Sequence, residues 1–195
     1  MYAEILASST FALVAYQDFR DRMVSDWAWA PAAVGAVVVF LERPELIDLS
    51  AAKLGLFALL GLLSVLLGAF GQADGLALAF MSVGTSYLSP LPQLFAASAM
   101  ALGHILFLYA RSGFRKVERT MTVEEALRQN VWIPQEVTSD GKVSKLDHSP
   151  EKAWKQLEGY VGKGAVVRAT YGVPLSGYLA LGYLVGFVYL MLNPS

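Results

Sequence analysis

The chain has no cysteine, only two histidines, and little charge: 16% of its 195 residues are Asp, Glu, Lys or Arg. The missing cysteine excludes disulfides, thiolate metal sites and thiol nucleophiles. Charge falls well below the roughly 25% of a typical soluble domain, which argues against a soluble globule. A net charge of −1 offers no electrostatic basis for a nucleic-acid partner. Internal repeats and low-complexity tracts are not evident either. The first ten residues contain Glu4 and no basic residue, so they read as the start of a retained helix rather than a cleavable signal.

What the chain does have is apolar sequence. Hydrophobic residues make up 55% and the mean hydropathy is +0.48. They fall in blocks of about 15–20, the length that crosses a hydrocarbon core of about 30 Å. About six spans can be marked: 3–17, 27–41, 52–70, 74–88, 92–110 and 171–192. The first, second and fourth are short and need interfacial residues such as Trp27, Trp29 and Tyr87. The expected fold is therefore an all-α membrane protein, a bundle of about six transmembrane helices in a lipid bilayer. Glycines in the third span (Gly55, Gly61, Gly68) and the sixth (Gly172, Gly177, Gly182, Gly186) suggest close helix packing.

Basic residues set the expected orientation. The connections after spans 1, 3 and 5 hold Arg20, Arg22 and eleven more from Arg111 to Arg168, while the other side holds only Arg43 and Lys53. That asymmetry assigns the first set to the cytoplasm and both termini to the outside of a multi-pass cell-membrane protein. The polar stretch 111–169 is too long for a simple connection. It separates transmembrane residues 1–110 from the last span, 170–195. Thr122 with Glu125 fits a capping box opening a helix to about Gln129. Asp140-Gly141 between 131–138 and 142–146 is a hairpin signal. Ser149-Pro150-Glu151 opens a second helix that Gly162 would close. A small cytoplasmic α+β insert is expected.

Asp18 ends the first span and Asp74 stands alone between two apolar blocks at the start of the fourth. A charge in a span is costly and usually faces a bundle interior or water. By the expected topology both acids sit at the cytoplasmic side, so they can meet at one depth. Two adjacent carboxylates share a proton, because both ionise together only at a high cost. One can then activate water while the other polarises a carbonyl. Such a pair needs no metal and no cofactor, which suits this composition. Gly71 and Gly75 flank Asp74 and promise a tight backbone with room for a substrate strand. Arg20 and Arg22 are placed to stabilise Asp18 or to hold Asp21. His104 reads as a packed histidine and His148 as solvent-facing.

Gly71-Gln72-Ala73-Asp74 resembles the Gly-x-hydrophobic-Asp motif of the archaeal type IV prepilin and preflagellin peptidases, which belong to the GxGD-type intramembrane aspartyl peptidases. Asp18-Phe19-Arg20-Asp21-Arg22-Met23-Val24-Ser25-Asp26 is similar to that family's first motif. Pro174 in Val173-Pro174-Leu175 stands where the family often opens its last span, although Leu175 replaces the usual aromatic. The resemblance covers nearly the whole chain and implies catalytic Asp18 and Asp74, supported by Gly71, Ala73, Gly75 and Arg22. It implies as partner a membrane-embedded archaellin or pilin precursor with a basic leader and a hydrophobic helix, cut at the cytoplasmic face. Asp21 and Asp26 would attract that leader. Bacterial relatives that also methylate the product carry a cysteine-rich zinc segment; this chain lacks it, so no methylation is expected.

Two other readings compete. A proton-coupled small transporter or channel would use the same acids as a relay, but needs acids through the bilayer thickness, and spans 2, 3, 5 and 6 have no central carboxylate. A scaffold without chemistry would leave both acids dispensable. Separately, Asp74 could be a helix cap, and Asp18 a loop acid paired with Arg22.

Overall fold

The computed structural model describes residues 2–42, 44, 47–67, 71–83, 90–113, 117–147 and 150–192. The described chain is mostly helical and also contains one four-stranded antiparallel sheet. By its contacts it divides into two compact units. One comprises Met1–Phe19, Met23–Leu102 and Pro174–Ser195; the other comprises Arg20–Arg22 and Gly103–Val173.

The first unit is built from helices. The first, α1 (Tyr2–Asp21), buries Ala3, Ala7, Phe11, Val14 and Asp18, three or four residues apart and hence on one stripe. Arg22 follows it at φ 55°, a left-handed residue that breaks the helix. A 3-10 turn, Asp26–Trp29, leads into α2 (Ala30–Glu42). The Ala32 N–H, an orphan donor in the first turn of α2, reaches Thr10 Oγ1 of α1 at 2.9 Å. Two further helices, α3 (Ile47–Leu66) and α4 (Gln72–Phe80), meet backbone to backbone. An added Cβ on Gly61 would lie 2.3 Å from the Gly75 carbonyl oxygen. The helix α5 (Leu91–Arg111) begins in this unit, and α8 (Leu175–Leu192) completes it. The core is aromatic at its centre: Phe11 stacks on Tyr183 at 4.2 Å and meets Trp29 edge-on at 6.4 Å.

Two helices, α3 and α5, are long and apolar enough to cross a membrane, and α8 has a shorter apolar stretch, Leu175–Tyr189. Leu59, Leu62 and Leu66 of α3 and Leu102, Leu106 and Phe107 of α5 are exposed. Exposed apolar surface on this scale marks an interaction or membrane face.

The second unit holds the sheet, in the order β1-β4-β2-β3, formed by Glu118–Thr122, Val166–Tyr171, Trp132–Ser139 and Lys142–Lys145 respectively. Asp140 and Gly141, both at positive φ, make the hairpin turn between β2 and β3. Two helices, α6 (Val123–Arg128) and α7 (Pro150–Glu158), cover Met121, Val137, Val167 and Ala169 with Ala126, Ala153 and Leu157. Thr122 Oγ1 accepts the Glu125 N–H at 3.1 Å, as its capping position requires, while Glu125 turns to Arg119 at 2.7 Å. The second insert helix ends at Glu158, before Gly162.

Several expectations are corrected here. The insert is richer in strands than one hairpin, since β1 and β4 pair with each other and β4 with β2. Residues 171–174 are not helical: β4 runs through Tyr171, and the last helix starts at Leu175. The fourth helix ends at Phe80 and residues 81–83 form a turn, while 84–88 of the expected span lie outside the described residues. Among the described residues nothing lies within 4 Å of a Cβ added at Gly55, so the expected close packing is not seen there. Gly68, Tyr87, His148 and Ser149 lie outside the described residues.

Candidate active site

The site forms where three helix ends meet: the C-terminal end of α1, the N-terminal turn of α4 and the N-terminal turn of α8. Pro174 precedes α8 and lends its carbonyl to the Tyr178 N–H at 3.1 Å. Proline suits this position, since the first N–H groups of a helix have no partner within it. The donors that lack a partner within the helix behind it are those of Ser176 and Gly177, both buried.

Both carboxylates answer them. Asp18 Oδ2 accepts the Gly177 N–H at 2.6 Å. Asp74 Oδ1 accepts the Ser176 hydroxyl at 2.5 Å. Asp74 Oδ2 turns back to the Gly71 N–H at 3.1 Å. Two acids 56 positions apart thus bind consecutive residues of one helical turn, whose Cα atoms are about 3.8 Å apart. Asp18 is buried, and Asp74 half-buried.

No protein-family profile, curated protein or solved structure matches this chain. The site is therefore read from its own geometry. Asp74 is the third residue of α4 and caps it by reaching back to Gly71, yet its other oxygen faces α8; capping and pairing coexist. Gly71 has φ −71° and ψ 166°, extended backbone open to any residue, so conformational freedom is not why it is there. Gly75 packs on Gly61 and Val65 of α3 rather than leaving room for a substrate strand. Ala73 is half-buried against the core.

Arg22 takes a role the sequence did not suggest. Its Nε donates to the Gly172 carbonyl at 2.7 Å and its Nη2 to the Tyr171 hydroxyl at 2.8 Å, with the guanidinium 5.4 Å from the Tyr171 ring centre. Asp21 lies 3.7 Å from Arg20 on the surface, and Asp26 is exposed in the 3-10 turn. His104 packs edge-on against Tyr171 at 5.7 Å. Among the described residues no cluster of three or more His, Asp or Glu could hold a metal ion.

Sequence reasoning missed Ser176 and Gly177. The signal was present: Pro174 marks a helix start, and the second and third residues of a helix carry orphan donors that attract carboxylates. Gly177 was read only as a packing residue. It does pack closely, since an added Cβ would lie 2.8 Å from Phe19 Cε2 and 3.3 Å from Asp18 Oδ2.

Proposed function

We propose that this chain is an intramembrane aspartic endopeptidase that cuts class III signal peptides from preflagellin or prepilin precursors at the cytoplasmic membrane face. In this reading the helices form a bundle of about six spans in the cell membrane, with both termini outside. One observation carries the proposal: Asp18 and Asp74, from different helices, hydrogen-bond to the consecutive residues Gly177 and Ser176. The likeness of both acid motifs to the archaeal peptidases supplies the substrate class.

The chemistry follows from the pair. The ionised carboxylate takes a proton from a water held between the two, and the water oxygen attacks the scissile carbonyl carbon. The protonated partner gives its proton to the carbonyl oxygen, forming a tetrahedral diol. As the diol collapses the C–N bond breaks: the departing nitrogen takes the proton that the first carboxylate drew from water, and one diol hydroxyl returns its proton to the second carboxylate. The Gly177 N–H holds Asp18 Oδ2, while the Ser176 hydroxyl and the Gly71 N–H hold the two oxygens of Asp74. Partly exposed Asp21 and exposed Asp26 each attract the leader's lysines and arginines.

The test is direct. Purified protein in lipid vesicles is mixed with a precursor bearing a basic leader and a hydrophobic helix, and the products are weighed by mass spectrometry. The expected product lacks only its leader and carries an unmethylated N-terminus. An intact precursor, with acid-driven proton uptake by the same vesicles, would replace the peptidase reading with the transporter.

A further inference from the structure

Tyr183 lies seven residues beyond Ser176, two turns along the same face of α8. It is 1% exposed and touches α1 and the turn that follows α4. Its ring stacks on Phe11, itself two turns before Asp18 on α1. Its hydroxyl donates to the Val83 carbonyl at 2.8 Å, just past the end of α4. Carbonyls at a helix end have no partner within the helix, and in an apolar interior each needs one. Met81–Val83 close α4 in a turn, and Tyr183 reaches that turn's last carbonyl.

The contacts therefore form two rungs. In the first, Gly177 holds Asp18 of α1 and Ser176 holds Asp74 of α4. In the second, Tyr183 alone holds Phe11 of α1 and Val83 beyond α4. A helix fixed at one point can swing about it; a helix fixed at two points keeps its register. We propose that Tyr183 is a positioning residue that sets the register of α1 and α4 on α8, and so the height at which Asp18 and Asp74 meet. The consequence for catalysis rests on the peptidase reading, whereas the register itself does not.

The cysteine-free chain makes the register measurable without any enzymatic assay. Side chains 74 and 176 touch, so the double variant D74C/S176C should form a disulfide rapidly under mild oxidant. Adding Tyr183→Phe keeps the ring and deletes the hydroxyl. Disulfide formation is expected to slow several-fold. In the protein with native acids, Tyr183→Phe is expected to lower the processing rate on the order of tenfold, because small misplacements of reacting groups are costly. Far-UV circular dichroism checks that the variant keeps its helices. An unchanged disulfide rate overturns the proposal, whatever happens to processing. A slowed disulfide rate in a protein that cleaves no precursor upholds the register role and removes the peptidase reading instead.

Discussion

The Asp18 carboxylate is held by the backbone of Gly177, its Oδ2 accepting that N–H at 2.6 Å across 159 positions of sequence. Residue 177 must also be small, because an added Cβ would lie 2.8 and 3.0 Å from the Phe19 ring, which packs edge-on against Tyr178 at 5.2 Å. Gly177→Ala is expected to push Phe19 and Asp18 aside and to lower the processing rate on the order of tenfold. Gly177→Val should abolish it. Initial rates on a purified precursor check both, and native rates for Gly177→Val would contradict the assigned geometry.

Ser176 presents its hydroxyl to Asp74. A hydrogen bond to a charged group contributes about 1.5–3 kcal/mol, so Ser176→Ala is expected to slow processing by about 10- to 100-fold. Ser176→Thr keeps the donor and should recover most of the rate. The pH–rate profile separates this from general damage: deleting a donor to one member of the pair moves a limb of the bell, whereas damage lowers the whole curve.

Glycines in the same helix carry opposite expectations. Gly61→Ala puts a Cβ against the Gly75 backbone, which has nowhere to retreat, and overpacking of this kind costs about 1–3 kcal/mol. At Gly55 a Cβ meets nothing, and alanine in a helix interior is favoured over glycine by about 0.5–1 kcal/mol. Thermal unfolding in detergent should rank Gly55→Ala above the native protein and Gly61→Ala below it.

In the insert, the Gly162 N–H donates to Glu124 Oε1 at 3.1 Å and holds that carboxyl below its ordinary range. A depressed carboxyl adds stability above its unfolded value near 4.5 and loses it as pH falls through the folded value. Hydrogen exchange at the Gly162 amide is therefore expected to accelerate as pH drops below that range, beyond the intrinsic pH dependence. Glu124→Gln should remove this extra acceleration.

Much of the architecture was legible because it is written in local signals. Helix ends fall close to their expected positions where a charge stops an apolar run, as at Arg111, while α1 runs on to Asp21, four residues past its expected end at Gln17. The Thr122 cap and the Asp140-Gly141 turn are short-range and were readable. The pairing of β1 with β4 was not, since Glu118 meets Thr170 through a contact that no local pattern encodes. The two acids were visible as isolated charges. Their partners leave no mark in hydropathy, because Ser176 and Gly177 act through a hydroxyl and a backbone N–H, and the helix start at Pro174 was the signal that pointed to them. Two partners of Arg22 were hidden for a related reason: Tyr171 and Gly172 are 149 and 150 positions away.

The central claim is that Asp18 and Asp74 act as one catalytic pair, and isosteric removal of each carboxylate tests it most directly. Precursor processing is measured with Asp18→Asn, Asp74→Asn and the double variant, all at equal membrane levels. Asparagine keeps the shape and one acceptor oxygen, enough for the Gly177 N–H at position 18 but for only one of the Ser176 and Gly71 bonds at position 74, and it cannot take up the proton. Each single variant is expected to lose processing completely, and the double variant to be no worse than either. Processing at the native rate by either single variant would contradict the account.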